Sequence, residues 1–336
     1  MRRMPRTTSS DGALFGGRRA PRALSWGAVL VVAGALTSAA AAPFPISTAA
    51  PPDEDGSVTR LGAQQADPKV ITGLLGPESV RFDPDQKVWF IGNWNGAASA
   101  TDNNGMISRV LEDGTVDALD FIQGGRNGTT LHAPRGMTIV GDTLWAADVD
   151  AIRGFHVRSG ELLAAVDMTR WEPGFLNDIA ADDSGTLYIT DTGRNRIYRV
   201  RGANSSIALE DSMLNRPNGI TWNEREGDFV VLPFGGSQTL MSWRAGGELR
   251  PWRTLPSGGR YDGIEILHDG RVVVSSQTDS SIYVLPAESS GRVETVLQRI
   301  RLEGAPADIA VDAAGTTVAV PYVARNLVEL WPIGTP

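Results

Sequence analysis

The chain has 336 residues, of which 41% are hydrophobic, with 38 Gly, no Cys and a formal net charge of −8. That composition fits a turn-rich globule rather than disorder. The lack of cysteine excludes a disulfide framework, a thiol nucleophile, a zinc-thiolate site and a lipoprotein anchor, and with Lys69 and Lys87 as the only lysines Schiff-base chemistry is disfavoured.

The N-terminus reads as a targeting segment. Residues 1–22 carry six Arg, Leu24 to Leu36 is apolar, and Thr37 to Ala42 is a run of small residues. This is the pattern of a secretory signal with a cleavage site near Ala42. The apolar stretch is short of the roughly 20 residues a spanning helix needs. An exported protein, periplasmic or secreted, without stable membrane insertion after cleavage is therefore expected. Arg18-Arg19 raises the twin-arginine route, although Pro21 and Arg22 follow where apolar residues would stand. Removing residues 1–42 takes away six Arg and Asp11, leaving 25 basic and 38 acidic residues and a net charge of −13. No nucleic-acid partner is expected for such a chain. Residues 43–66, rich in Pro, Ala and acids, read as a flexible linker, and residues 67–336 as one domain.

From Lys69 onward short apolar strands alternate with Asp, Gly and Asn turns. Lys69 to Leu74 is an isolated apolar segment. Four-strand groups then follow, beginning near Ser79, Gly136, Asn177, Gly219 and Gly263, and a last group from Asp308 has only three strands before the chain ends. A polar residue, often after Pro and before Gly, leads each group: Glu78, Arg135, Asn177, Asn218, Asp262 and Asp308, at spacings of 57, 42, 41, 44 and 46 residues. A strand-rich repeat of about 40–50 residues signals a β-propeller. The predicted fold is all-β: a six-bladed propeller with four strands per blade. An open last blade would expose sheet edges, so the orphan segment Lys69 to Leu74 is expected to supply its outer strand and close the ring.

In a propeller the innermost strand of every blade starts at the same end of the central channel. The leading residues should therefore converge, and Glu78, Asn177, Asn218 and Asp262 are all oxygen donors. Two carboxylates and two amides suit a hard divalent cation, Ca²⁺ best, with Mg²⁺ or Mn²⁺ also fitting. Asn, Asp and Gly also start strands because they tolerate turn geometry; four of them in phase favour the metal site. His132, His156 and His268 lack zinc-ligand spacing, and His132 is expected to be a solvent-exposed loop residue. The two longest excursions, residues 93–104 and 123–133, fall on the ligand face and are expected to form a rim or lid.

Pro77-Glu78, Leu176-Asn177-Asp178, Arg216-Pro217-Asn218-Gly219 and Tyr261-Asp262-Gly263 carry a resemblance, over about residues 69–333, to the senescence marker protein/gluconolactonase/luciferin-regenerating enzyme family of six-bladed propellers. The resemblance implies a catalytic divalent ion, commonly calcium, held by Glu78, Asn177, Asn218 and Asp262, and hydrolysis of a lactone, ester or phosphotriester small-molecule substrate. It implies Asp262 as general base. Arg135, on the same channel end, is a second catalytic candidate, for a substrate carboxylate or the oxyanion. Phe175 stands where sugar lactonases often carry Arg. With Trp94 it points to a substrate less polar than a sugar. The Asp191-Thr192-Gly193-Arg194-Asn195-Arg196-Ile197 segment resembles NHL repeats equally, which leaves a non-enzymatic propeller binding a protein, peptide or glycan as the alternative. The sequence does not set the oligomeric state.

Overall fold

Each predicted repeat folds as a four-stranded antiparallel sheet in the computed structural model, which describes residues 67–334 apart from 256 and 288–297. After β1 (Lys69–Ile71), blade 1 comprises β2 (Pro77–Asp83), β3 (Val88–Asn93), β4 (Met106–Leu111) and β5 (Val116–Gln123). Blade 2 comprises β6 (Met137–Val140), β7 (Thr143–Ala147), β8 (Ala151–His156) and β9 (Leu162–Asp167). In blade 3 these are β10 (Leu176–Ala181), β11 (Leu187–Asp191), β12 (Arg196–Arg201) and β13 (Asn204–Glu210). Blade 4 holds β14 (Pro217–Asn223), β15 (Asp228–Pro233), β16 (Thr239–Trp243) and β17 (Leu249–Thr254). Blade 5 holds β18 (Tyr261–Ile266), β19 (Val272–Ser276), β20 (Ser281–Leu285) and β21 (Gln298–Arg301). The expected start of this last strand, Val293 to Glu294 and on to residue 297, lies outside the described residues, as do the signal (1–42) and linker (43–66).

The ring closes as the orphan segment suggested. β1 pairs antiparallel with β24 (Leu327–Pro332), matching Lys69 to Leu330 and Ile71 to Val328. It completes blade 6 with β23 (Thr317–Tyr322) and β22 (Ala310–Val311) in the order β1-β24-β23-β22. Ile71 and Leu74 are buried in a cluster with Val80, Trp89 and Val110 of blade 1 and with Val328 and Leu330. The sheet edge is thus covered and the two ends of the propeller are tied together.

The hydrophobic core lies between blades. Val88, Phe90 and Ile107 of blade 1 pack on Met137, Leu144 and Phe155 of blade 2, and Val230 and Leu232 of blade 4 on Ile264, Val272 and Val274 of blade 5. A strand sandwiched by two neighbours is buried on both faces. β3, β15 and β19 are therefore buried at every residue around unbroken apolar stretches (88–91, 229–232 and 272–274), not the alternating strands expected from the pattern. Side-chain hydroxyls stitch adjacent blades at the inner strands: Ser79 Oγ donates to the Arg135 carbonyl at 2.6 Å, Thr190 Oγ1 to the Asn218 carbonyl at 2.6 Å and Ser275 Oγ to the Ala307 carbonyl at 2.9 Å.

Candidate metal centre

The four candidate ligands owe their placement to one backbone irregularity repeated in phase. The pairing of the inner strand with its neighbour slips by one residue between Pro77 and Ser79, Leu176 and Ile179, Pro217 and Ile220, and Tyr261 and Ile264. Each slip is a β-bulge, which bends the strand and re-aims the side chain at that point. Glu78, Asn177, Asn218 and Asp262 occupy those bulges. Room comes from small partners: a Cβ on Gly219 would lie 2.3 Å from the Asp262 carbonyl oxygen. One on Gly136 would lie 2.1 Å from Asp178 Oδ1.

All four side chains are buried, each with 4% exposure. Asn177 Nδ2 donates to Thr192 Oγ1 at 2.9 Å and Gln277 Nε2 donates to Asp262 Oδ2 at 2.6 Å. The remaining oxygens are the telling feature: Glu78 Oε2, Asn218 Oδ1 and Asp262 Oδ1 are buried without any hydrogen-bond partner. Buried polar atoms are almost always satisfied, and groups left bare call for an ion or water as the explanation. Burial, and then the Asp262 charge, push the Glu78 carboxyl well above the usual range. Burial, reinforced by Asp178, pushes Asp262 up to about 7, against opposing hydrogen bonds from Gln277 and Asn218 and the Arg260 charge. Oxygens that repel one another and lack donors are what a divalent cation neutralises.

Two acids that the sequence reading left out of the ligand set belong to the same cluster. Burial raises the Asp178 carboxyl to about 6, opposed first by the Arg81 charge and then by the amides of Ile220 and Ile179, which donate to its Oδ2 and Oδ1 at 2.8 and 2.7 Å. Asp308 is fully enclosed, its Oδ2 has no partner, and burial with the Asp178 charge holds its pKa well above the carboxylate range. Asp308 had been aligned with the leading residues. Its Oδ1 leans over Gly263 of the preceding blade as Asp178 leans over Gly136. It therefore stands one position later than the ligand phase, and Ala307 leads blade 6. Comparing Asp178-Ile179-Ala180 with Asp308-Ile309-Ala310 in sequence would have exposed the offset. Further along the same inner strands, Arg81 Nη1 and Glu265 Oε1 meet at 2.6 Å, joining blades 1 and 5 across the channel.

Arg135 is 1% exposed and already engaged. One guanidinium nitrogen donates to the Leu176 carbonyl at 2.6 Å and another to the Ala98 carbonyl, while the group stacks 3.7 Å from the Phe175 ring centroid. Its Nε has no partner. Desolvation lowers its pKa to about 10, opposed chiefly by the Glu78 charge. Arg135 thereby pins the 93–104 excursion at the channel mouth. That excursion lies on the ligand end because Asn93, which ends β3, pairs with Pro77.

The second excursion folds onto the first: Asn103 N donates to His132 Nδ1 at 3.0 Å and Leu131 N to Asn103 Oδ1 at 2.8 Å. His132 is consequently buried, at 8% exposure, rather than solvent-exposed, because two loops that each looked unconstrained constrain each other. With Asp148 and Asp150 it forms a trio whose potential ligand atoms lie within 4.8 Å of one another. Those carboxylates are committed, however. Asp148 accepts from Arg153 Nε at 2.6 Å and from the amides of His132, Ala133 and Val149, and Asp150 accepts from Arg153 at 2.7 Å. A cation there would have to displace Arg153, whereas the channel oxygens have nothing to displace. The channel is the better candidate for a metal centre.

No family model and no curated protein matches the chain. Among solved structures it is similar to a gluconolactonase from Xanthomonas campestris, at 17% identity and a TM-score of 0.58 over 83% of this chain and 94% of that one. It is similar to regucalcin, a calcium-binding protein from Agrobacterium tumefaciens, at 18% identity and a TM-score of 0.58 over 80% and 94%. It is also similar to virginiamycin B lyase from Staphylococcus aureus, at 15% identity and a TM-score of 0.54 over 80% and 100%. All are six-bladed propellers, and they include proteins of the group the sequence resembles. At these identities the likeness establishes the fold.

Proposed function

We propose that the protein is a divalent-cation-dependent hydrolase, with calcium the favoured ion, acting on a lactone or ester at the channel mouth. One observation carries the reading: three of the four phased oxygen donors, Glu78, Asn218 and Asp262, each leave a buried oxygen without a partner. A bound cation would supply Lewis-acid polarisation of an acyl carbonyl and charge stabilisation for the oxyanion. Around it, Glu78, Asn177, Asn218 and Asp262 are the holding set. Gln277 fixes one oxygen of Asp262 and so orients the other, which suits Asp262 to accept a proton from water. Arg135 acts through position: it balances the Glu78 charge and holds the 93–104 loop over the mouth. Fold alone does not choose the chemistry, since propellers host hydrolases, lyases and binding modules alike.

The reading is tested by metal content and turnover together. The purified protein should hold about one divalent ion, hydrolyse an aryl ester or lactone, and lose that activity on chelation with recovery on adding calcium. No bound metal and no turnover of any ester, lactone or phosphotriester would replace the enzyme with a binding propeller. The targeting pattern of residues 1–42 supports a reaction outside the cytoplasm, which fractionation of expressing cells would check.

A further inference from the structure

Two exposed arginines stand at the channel mouth. Arg216 and Arg260 immediately precede the inner strands of blades 4 and 5, two residues before Asn218 and Asp262. Both are exposed; among the described residues neither guanidinium is in an ion pair or a side-chain hydrogen bond, and the Arg260 charge acts on Asp262. Both converge on one ring: their guanidinium carbons lie 5.5 and 4.7 Å from the centroid of Phe234. Phe234 follows Pro233, which pairs with Pro217, so the ring sits at the ligand end of the channel. The Phe234 amide also donates to the Arg216 carbonyl at 2.9 Å.

The backbone at these two positions is left-handed, with φ of 60° at Arg216 and 47° at Arg260. The equivalent position in blade 1, just before Pro77, is Gly76 at φ 67°. Glycine takes that conformation without strain; a residue with a side chain does not. Blades 4 and 5 therefore carry arginines in a conformation that blade 1 fills with glycine, and strain of this kind concentrates where a side chain is used. Two cations drawn to one aromatic face also repel each other, and an anion between them removes that repulsion.

We infer that Arg216, Arg260 and Phe234 form an oxyanion-binding subsite, selecting esters or lactones that carry a carboxylate or phosphate group. The inference deepens the hydrolase reading and rests on it for the word substrate. The arginines would hold the remote anionic group while the scissile carbonyl meets the channel oxygens. Buried Arg135, whose donors already serve backbone carbonyls, leaves this role to the exposed pair.

The test compares an aryl monoester of succinic acid with its neutral methyl-capped counterpart, on wild type and on Arg216→Gln, Arg260→Gln and the double variant. The preference for the anionic substrate in kcat/KM should fall about 5- to 10-fold with each substitution, mostly through KM. Lysine at either position should restore most of it, and raising the salt concentration should erode it in wild type. An unchanged preference in the double variant overturns the inference. Calorimetric titration with succinate, inorganic phosphate and neutral succinamide decides independently of turnover. Succinate or phosphate binding that the double variant loses supports the subsite and names the favoured anion, even if no ester is cleaved and the hydrolase reading fails. Equal binding by wild type and double variant, or no anion binding by wild type, sinks it.

Discussion

Replacing Asp262 by Asn should stabilise the metal-free protein at pH 8 and weaken its response to calcium. In the folded chain Asp262 is pushed from its ordinary 3.8 up to about 7, mainly by burial and then by the Asp178 charge. A carboxyl whose pKa is raised on folding holds its proton more tightly folded than unfolded. Its contribution to stability is fully present below about pH 4 and is lost as the pH rises through 7. The interval between 3.8 and about 7 corresponds to a loss of about 4 kcal/mol by pH 8. Asparagine keeps the shape and never ionises, so it escapes that loss. For a propeller of this size each kcal/mol is about 2–4 °C, so in chelator at pH 8 Asp262→Asn should melt about 8–16 °C above wild type. At pH 5 the difference should shrink to about a third, because the pH has then crossed only the first part of the interval between 3.8 and about 7 over which the loss builds up. Saturating calcium should narrow the gap: wild type gains about 3 kcal/mol at a hundredfold excess over Kd, against its deficit of about 4 kcal/mol, and the variant, short of a charge, gains less. Thermal melts of both proteins at pH 5 and pH 8, with chelator and with calcium, measure all of this. A variant that melts below wild type in chelator at pH 8 would refute the view that repulsion at the channel opposes folding.

Three further outcomes follow from other contacts. With cation present, Asp262→Asn and Glu78→Gln should each lower ester or lactone turnover about 10²-fold or more, read as initial rates on folded protein; near-wild-type rates would remove that residue from the site. A chain starting at residue 67 should melt like the full-length protein, whereas one starting at residue 75 loses Ile71 and Leu74, each 2% exposed, at about 2–5 kcal/mol apiece. That loss rivals the whole stability of a domain, so the shorter chain should aggregate or elute as a swollen species on gel filtration, and equal melting of the two would discard β1 as the closing strand. Arg135→Met removes the donors to Ala98 and Leu176, so limited proteolysis should cut within residues 93–104 several-fold faster, and an unchanged cleavage rate would show that the loop is held by other means.

Much of the fold was legible because propeller repeats write themselves into the chain at fixed spacing. Asp-Gly and Asn-Gly turns, apolar strands and a phased polar residue recur because each blade must turn at the same places and begin at the same channel. The closing strand was legible for a related reason: an apolar segment before the first repeat has no partner except the last. The burial of β3, β15 and β19 on both faces was less so, since period-two alternation describes a sheet with one wet face, and these strands have none.

The sequence by itself determined the architecture and the four oxygen donors in phase, Glu78, Asn177, Asn218 and Asp262, because both depend on periodicity along the chain. Tertiary structure alone decided which atoms lack partners, that His132 is enclosed by two loops, and that Arg135 is buried and occupied while Arg216 and Arg260 stay exposed on one ring. Those properties depend on what packs against a side chain from other blades, and spacing along one chain does not encode the neighbours that ring closure brings together.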